Sequence, residues 1–111
     1  MTKPIPNQPA TLKRYFEATN RQEVAAAVGC FARDAVVEDQ FGRYSGRDAI
    51  QEWVAETSWK YLPTLLVLRE KPTDADMALT VSVSGHFPGS PVQLDFHFRL
   101  RGGKITALLI E

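Results

Sequence analysis

The chain has 111 residues, 44% hydrophobic and 23% charged, and its 13 basic and 13 acidic residues give a formal net charge of zero. This composition is typical of a globular protein with a hydrophobic core, and the lack of a basic excess argues against nucleic-acid binding. No apolar run approaches the roughly 20 residues of a membrane span. Cys30 is the only cysteine, so an intrachain disulfide is excluded and a reducing, cytoplasmic location is expected.

The N-terminal part of the chain predicts a short tail followed by helices. Residues 1–8 carry two prolines and no apolar run, which predicts a flexible tail ahead of a single domain over residues 9–111. Pro9 suits the first turn of a helix, and Asn20 with Glu23 has the spacing of a capping box at the start of a second one. Mostly apolar residues at helical spacing mark three helices, by Leu12, Tyr15, Phe16 and Thr19, by Val24, Ala27, Val28 and Phe31, and by Ile50, Trp53, Val54 and Thr57.

The rest of the chain predicts strands. Residues 35–39 favour a short strand before the third helix, and residues 40–44 are predicted to form a loop. After Pro63 the apolar residues alternate with polar ones, which indicates four strands joined by short turns, the last of them at Gly102-Gly103. Helices followed by a run of strands predict an α+β fold in which three N-terminal helices cover one face of a curved, mostly antiparallel sheet.

One stretch resembles a known family. The run FARDAVVEDQFG at residues 31–42, followed by GRDAI at residues 46–50, is similar to the sequence around the catalytic base of ketosteroid isomerases. The order of elements also resembles the nuclear transport factor 2-like superfamily, which includes the SnoaL-like polyketide cyclases. The resemblance implies a cone-shaped fold that encloses a pocket, chemistry without a cofactor, and a homodimer formed through the outer sheet face.

The resemblance also implies roles for individual residues. Asp39 matches the general base, and Tyr15 matches the donor of a hydrogen bond to an enolate oxygen. The third group of that family is a protonated acid, whose position is taken here by Phe98. Residue chemistry alone leaves structural alternatives open, because Asp is common in turns and a Tyr on an apolar helix face is usually a core residue.

The apolar residues expected to line the pocket and bind the ligand are Trp53, Phe96, Phe98, Phe31 and Val81. No metal site is expected, since His86 and His97 have no third ligand near them in the pattern. Three functions stay open. The first is an isomerase- or cyclase-like enzyme that transfers a proton on a small, apolar, polyketide- or steroid-like carbonyl compound. The others are a binding protein for such a ligand and a protein-interaction module.

Overall fold

The computed structural model describes residues 9–111, so the predicted tail, residues 1–8, lies outside the described residues. The helices are α1 (Ala10–Asn20), α2 (Val24–Val28) and α3 (Arg47–Tyr61). The strands are β1 (Phe31–Asp39), β2 (Gly42–Ser45), β3 (Thr64–Lys71), β4 (Met77–Ser84), β5 (Val92–Arg101) and β6 (Lys104–Ile110).

The strands form one open sheet in the order β2-β1-β6-β5-β4-β3. The β1–β6 pair is parallel and the other pairs are antiparallel. The register shifts within β1, within β3 and near the end of β5, and extra residues of this kind bend a strand and increase its twist. The helices cover one face of this curved sheet. The predicted α+β class, with a mostly antiparallel sheet, is confirmed.

The segment predicted as a loop at residues 40–44 is mostly strand β2. It pairs antiparallel with β1, with Asp39 opposite Gly42, so only Gln40 and Phe41 form the turn. The Asp39 side chain accepts hydrogen bonds from the backbone N–H groups of Phe41 and Gly42, which stabilises this turn. The prediction was wrong because β2 has four residues of alternating partial exposure, too few for a clear periodic pattern.

The capping box predicted at Asn20 is also wrong. The residue that precedes α2 is Glu23, and no side chain caps that helix. Asn20 ends α1, where its amide accepts a bond from the backbone N–H of Leu65 at 2.6 Å and donates one to the Leu65 carbonyl at 2.9 Å. This paired contact fastens the end of α1 to β3, 45 residues later in the chain.

Glycines at two ends of the sheet are required by the local backbone, one by a close contact and the others by a tight turn. A Cβ atom on Gly85 would collide with the Tyr61 carbonyl oxygen, so glycine lets the end of β4 lie against the end of α3. The neighbouring His86 N–H donates to that carbonyl at 2.7 Å. At the β5–β6 turn, Gly102 and Gly103 have φ values of +57° and +75°, which glycine adopts without strain.

Candidate active site

A largely apolar cavity of about 490 Å³ lies between the helices and the sheet. This volume is typical of small-molecule sites. Its aromatic lining residues are Tyr15, Phe41, Trp53, Tyr61, Phe87 and Phe96. Its aliphatic lining residues are Pro63, Leu65, Val83, Pro88, Val92, Leu94 and Ile110. Its polar lining residues are Thr19, Asp39, Gln40, Thr57 and Glu111. Both residues predicted as catalytic, Asp39 and Tyr15, therefore line one cavity.

Tyr15 is held rigidly by neighbouring rings. It lies on the inner face of α1, is 3% exposed, and makes edge-to-face contacts with Phe16, Phe31 and Phe98 at centroid distances of 5.4, 5.7 and 5.9 Å. Burial raises the pKa of the Tyr15 phenol well above its ordinary value, and the nearby Thr19 hydroxyl opposes only part of this rise. Tyr15 therefore keeps its proton, and its ability to donate a hydrogen bond, at every pH at which the protein would work.

Asp39 is the last residue of β1, and its carboxylate has three N–H donors. Oδ1 accepts from the backbone of Phe41 at 2.9 Å and of Gly42 at 3.0 Å, and Oδ2 accepts from Nε1 of Trp53 at 3.1 Å. The side chain is thus oriented by the β1–β2 turn on one side and by α3 on the other. Each carboxylate oxygen has two lone pairs, so Oδ2 keeps one for a ligand proton.

Trp53 is both a lining residue and a support for Asp39. It is 8% exposed on α3, and its ring stacks on that of Tyr44 in β2 at a centroid distance of 5.9 Å. The stacking fixes the indole plane, and the plane directs the indole N–H toward Asp39. Trp53 and Phe96 are the predicted ligand-binding residues that line the cavity.

The structure places the other three predicted ligand-binding residues elsewhere. Phe31, Val81 and Phe98 are fully buried and belong to the packed core rather than to the cavity lining. Phe98 packs against the rings of Phe16 on α1 and Phe96 on β5, which fill the space beside it. Strand parity correctly indicated that Val81 and Phe98 face inward, but it does not indicate which inward residues reach a cavity. Phe31 was predicted on the second helix and is instead the first residue of β1, which begins four residues before the predicted strand.

With this geometry in place, comparison with known proteins decides the family. The family model described as "SnoaL-like domain" matches residues 12–108. The chain belongs to the SnoaL-like domain family. The resemblance that was based on residues 31–50 is confirmed by this match.

Solved structures of similar proteins support the same assignment. A candidate polyketide cyclase from Sinorhizobium meliloti is 32% identical, with a TM-score of 0.88 over 95% of this chain and 96% of that chain. A Catenulispora acidiphila protein with a ketosteroid isomerase-like fold, solved with trimethylamine, is 20% identical, with a TM-score of 0.80 over 95% and 86% of the two chains. An NTF2-like protein of unknown function from Cytophaga hutchinsonii is 15% identical, with a TM-score of 0.76 over 96% and 93%. The last two show the fold alone.

Several lining residues of this SnoaL-like domain were not predicted as site residues. Thr19 lies one helical turn after Tyr15, so the i, i+4 spacing was a usable signal. Tyr61 and Phe87, whose rings meet edge to face at 5.9 Å, come from the end of α3 and the β4–β5 loop. A residue at a helix end and a residue in a loop belong to no periodic pattern, and only the folded chain shows that both lie at the cavity.

Other titratable residues of the described chain have contacts of their own, separate from those of Asp39 and Tyr15. Within residues 9–111 no group of three His, Cys, Asp or Glu side chains could hold a metal ion. Nε2 of His97 lies 3.1 Å from Oε1 of Glu111, an approach that becomes an ion pair when the imidazole is protonated. Burial raises the pKa of the Cys30 thiol, which favours the unreactive protonated form. None of α1–α3 is both long and apolar enough to cross a membrane.

The outer face of the sheet is charged, with both signs interspersed. Nζ of Lys71 donates to Oδ2 of Asp95 at 2.7 Å, and the Thr80 hydroxyl donates to Oδ1 at 2.9 Å. These bonds hold the pKa of the Asp95 carboxyl below its usual range. Asp95 therefore belongs to the outer face, as its strand parity predicted, and is not among the residues that line the cavity.

Proposed function

We propose that this SnoaL-like domain is a cofactor-free enzyme that moves a proton between two carbons of a small apolar carbonyl compound. The observation that carries the proposal is that Asp39 and Tyr15 line one apolar cavity. Asp39 supplies a carboxylate with a free lone pair, and Tyr15 supplies a phenol that stays protonated because it is buried. The apolar surroundings strengthen both interactions by excluding water.

The chemistry needs only these two side chains. Asp39 takes a proton from the carbon next to the carbonyl group, and the electron pair of that C–H bond moves into the new enolate. Tyr15 donates a hydrogen bond to the enolate oxygen, where the negative charge develops. Asp39, now protonated, then returns the proton to another carbon of the same system, or the enolate carbon attacks a second carbonyl carbon of the same molecule and closes a ring. In the second case the C=O electron pair moves to the oxygen, and the alkoxide so formed takes the proton back from Asp39. Atoms and charge balance in both outcomes without an external reagent.

The charge of the lining supports an uncharged substrate. Among the lining residues in the described chain, the ionic side chains are Asp39 and Glu111, and no Lys, Arg or His is present. The carboxylate of Glu111 faces His97, so Asp39 supplies the charge inside. An anionic substrate would meet like charge and find no counter-ion. The 32% identity to a candidate polyketide cyclase supports a polyketide-like carbonyl compound.

A non-catalytic binding protein is the second candidate, and the hydrogen bonds of Asp39 favour it. A carboxylate with three N–H donors closes the β1–β2 turn and anchors Trp53 whether or not it ever accepts a proton. In that case the cavity would hold an apolar ligand unchanged. A protein-interaction module, the third candidate, would use the outer sheet face and be indifferent to changes at Asp39 and Tyr15.

Proton exchange at carbon separates these functions without knowledge of the natural substrate. The protein is incubated in D₂O with a panel of aryl ketones and β,γ-unsaturated ketones, and deuterium incorporation next to the carbonyl is followed by NMR. Asp39→Asn should slow the exchange by about 10²–10⁴-fold, the usual effect of losing a general base. Tyr15→Phe should slow it by about 10²–10³-fold, as expected for an oxyanion donor.

The matched control is Asp34→Asn, an exposed carboxylate on the same strand. It should leave the exchange rate unchanged, and circular dichroism should show that all variants are folded. If the Asp39→Asn protein exchanges as fast as the unchanged protein, the enzyme assignment fails. Ligand recovered unchanged from the purified protein, together with the absence of exchange, would favour the binding protein.

We also propose that the outer sheet face forms a homodimer. Leu109 on β6 is 36% exposed there, opposite Glu38 of β1, which lies beside Arg43 of β2, and Leu66 on the edge strand β3 is 51% exposed. A face that carries charges of both signs and exposed apolar side chains can complement itself across a two-fold axis. Sedimentation analysis measures the oligomeric state directly.

A further inference from the structure

Thr19 contributes to the cavity a polar group whose hydrogen-bonding capacity the fold leaves unused. Its residue lines the cavity, yet its Oγ1 atom is buried and has no hydrogen-bond partner among the described residues. The hydroxyl lies near the Tyr15 phenol, although the two do not form a hydrogen bond of normal geometry. Buried polar groups without partners are uncommon and destabilising, so this one requires an explanation.

The other threonine of the cavity has a hydrogen bond for its hydroxyl. Thr57, which also lines the cavity, donates to the Trp53 carbonyl at 2.8 Å, the usual way in which a helical threonine satisfies its hydroxyl. Thr19 also lies in an α-helix, but its hydroxyl donates to no helix carbonyl. In a helix, threonine populates two χ1 rotamers, so its hydroxyl can take either of two positions about the Cα–Cβ bond. Because the Thr19 side chain lines the cavity, such a rotation can turn the hydroxyl toward a ligand there.

We propose that Thr19 is a second hydrogen-bond donor to the ligand carbonyl, acting beside Tyr15 and replacing the acid whose position Phe98 occupies. Thr19 and Tyr15 lie four residues apart on α1, so their side chains emerge from one helix face and can converge on one oxygen atom. Phe98 packs against the Tyr15 ring and cannot donate. The second donor thus comes from α1 in this protein and not from the sheet. This inference rests on the proposed function for the kind of ligand, but not on Asp39 as a base.

The test compares two probes of the same shape, 4-phenylbutan-2-one and 2-methyl-4-phenylbut-1-ene, in which a methylene group replaces the carbonyl oxygen. The ratio of their dissociation constants, compared between variants, measures the change in hydrogen bonds to that oxygen, because the hydration of the free probes is the same in each case. Thr19→Val, which keeps the shape and removes the hydroxyl, should lower the preference for the ketone over the alkene about 3- to 10-fold, as expected for one neutral hydrogen bond. Thr19→Ser should restore it.

Thr57→Val is the matched control, since it removes a cavity hydroxyl that is already bonded to the helix. Any effect on affinity should be equal for the two probes and leave their ratio unchanged. The carbonyl stretching frequency of the bound ketone gives a second readout, because losing a donor moves it back toward the free value in Thr19→Val only. A ratio unchanged in Thr19→Val would overturn the proposal.

The two proposals can fail separately. Asp39→Asn should keep the dependence of ketone binding on Thr19 while it loses deuterium exchange. If Asp39→Asn exchanges normally but Thr19→Val loses the ketone preference, the assignment of the base is wrong and that of the donor stands.

Discussion

The hydrogen bond between Asp39 and Trp53 predicts an energetic coupling that can be measured. Nε1 of Trp53 donates to Oδ2 of Asp39 at 3.1 Å, while Oδ1 accepts hydrogen bonds from the backbone N–H groups of Phe41 and Gly42 in the β1–β2 turn. In Asp39→Asn the amide oxygen can still serve the turn, but the amide nitrogen then faces the indole N–H. Two donors in contact leave one unsatisfied, which should lower the free energy of unfolding by about 1–3 kcal/mol.

Trp53→Phe removes the donor and part of a buried ring. The lost apolar area should cost about 1–2 kcal/mol, and the lost hydrogen bond adds to this when Asp39 is present. In the Asp39→Asn background the same change removes an unsatisfied donor instead. The double variant should therefore be more stable than the sum of the single changes predicts, by about 1–2 kcal/mol.

Urea denaturation followed by circular dichroism at 222 nm measures all four proteins, since tryptophan fluorescence would change with the substitution itself. The matched cycle pairs Trp53→Phe with Asp34→Asn, an exposed carboxylate on the same strand, and should be additive within about 0.5 kcal/mol. If the Asp39–Trp53 cycle is additive within the same limit, the hydrogen bond does not couple β1 to α3 and the orientation assigned to Asp39 is wrong.

Four shorter predictions follow from the charges and the exposed surface. The pKa of Asp95 is lowered by Lys71, so its stabilisation is present above about pH 4 and lost as the pH falls through the folded pKa. In urea titrations below pH 4, Asp95→Asn should therefore lose less stability than the unchanged protein. Burial raises the pKa of Tyr15, so the stability that the protonated phenol gives the fold is complete below about pH 10 and declines above it. Tyr15→Phe should therefore reduce the fall in melting temperature between about pH 10 and 11.5. The anion 4-phenylbutanoate should bind at least about 10-fold more weakly than 4-phenylbutan-2-one by calorimetry, and equal affinity would contradict the charge of the lining. Leu109→Glu should shift the protein to monomers in sedimentation analysis, whereas Trp59→Gln, which changes an 83% exposed residue on α3, should not.

The periodic parts of the chain could be predicted from the sequence. Alternation along β4 and β5, and helical spacing around Tyr15 and Trp53, indicated both the type of each element and the face that it buries. These signals are strong because one face of each element packs against the core, so the burial pattern is present in the residues themselves.

Features that depend on distant partners could not be predicted in this way. Asn20 has the local spacing of a cap but bonds instead to Leu65, a partner that no local pattern reveals. Phe31, Val81 and Phe98 face inward as predicted, yet whether an inward residue touches a cavity or a helix depends on the bend of the sheet. Asp39 was found through family resemblance, and its three hydrogen bonds became visible only when β2 and α3 were placed beside it.

Under the proposed function, Phe98 rather than a protonated acid stands beside Tyr15, and this has a consequence for pH dependence. A protonated carboxylic acid works as a donor only while it keeps its proton, so it adds its own limb to a pH–rate profile. The hydroxyls of Tyr15 and Thr19 stay protonated through the neutral range, because burial raises the pKa of the phenol and an aliphatic hydroxyl does not ionise. If these two supply the oxyanion donors, neither of them adds an alkaline limb, and deuterium exchange should stay level from pH 7 up to pH 9. An alkaline limb below pH 9 that survives in Thr19→Val would mean that another ionising group assists the reaction.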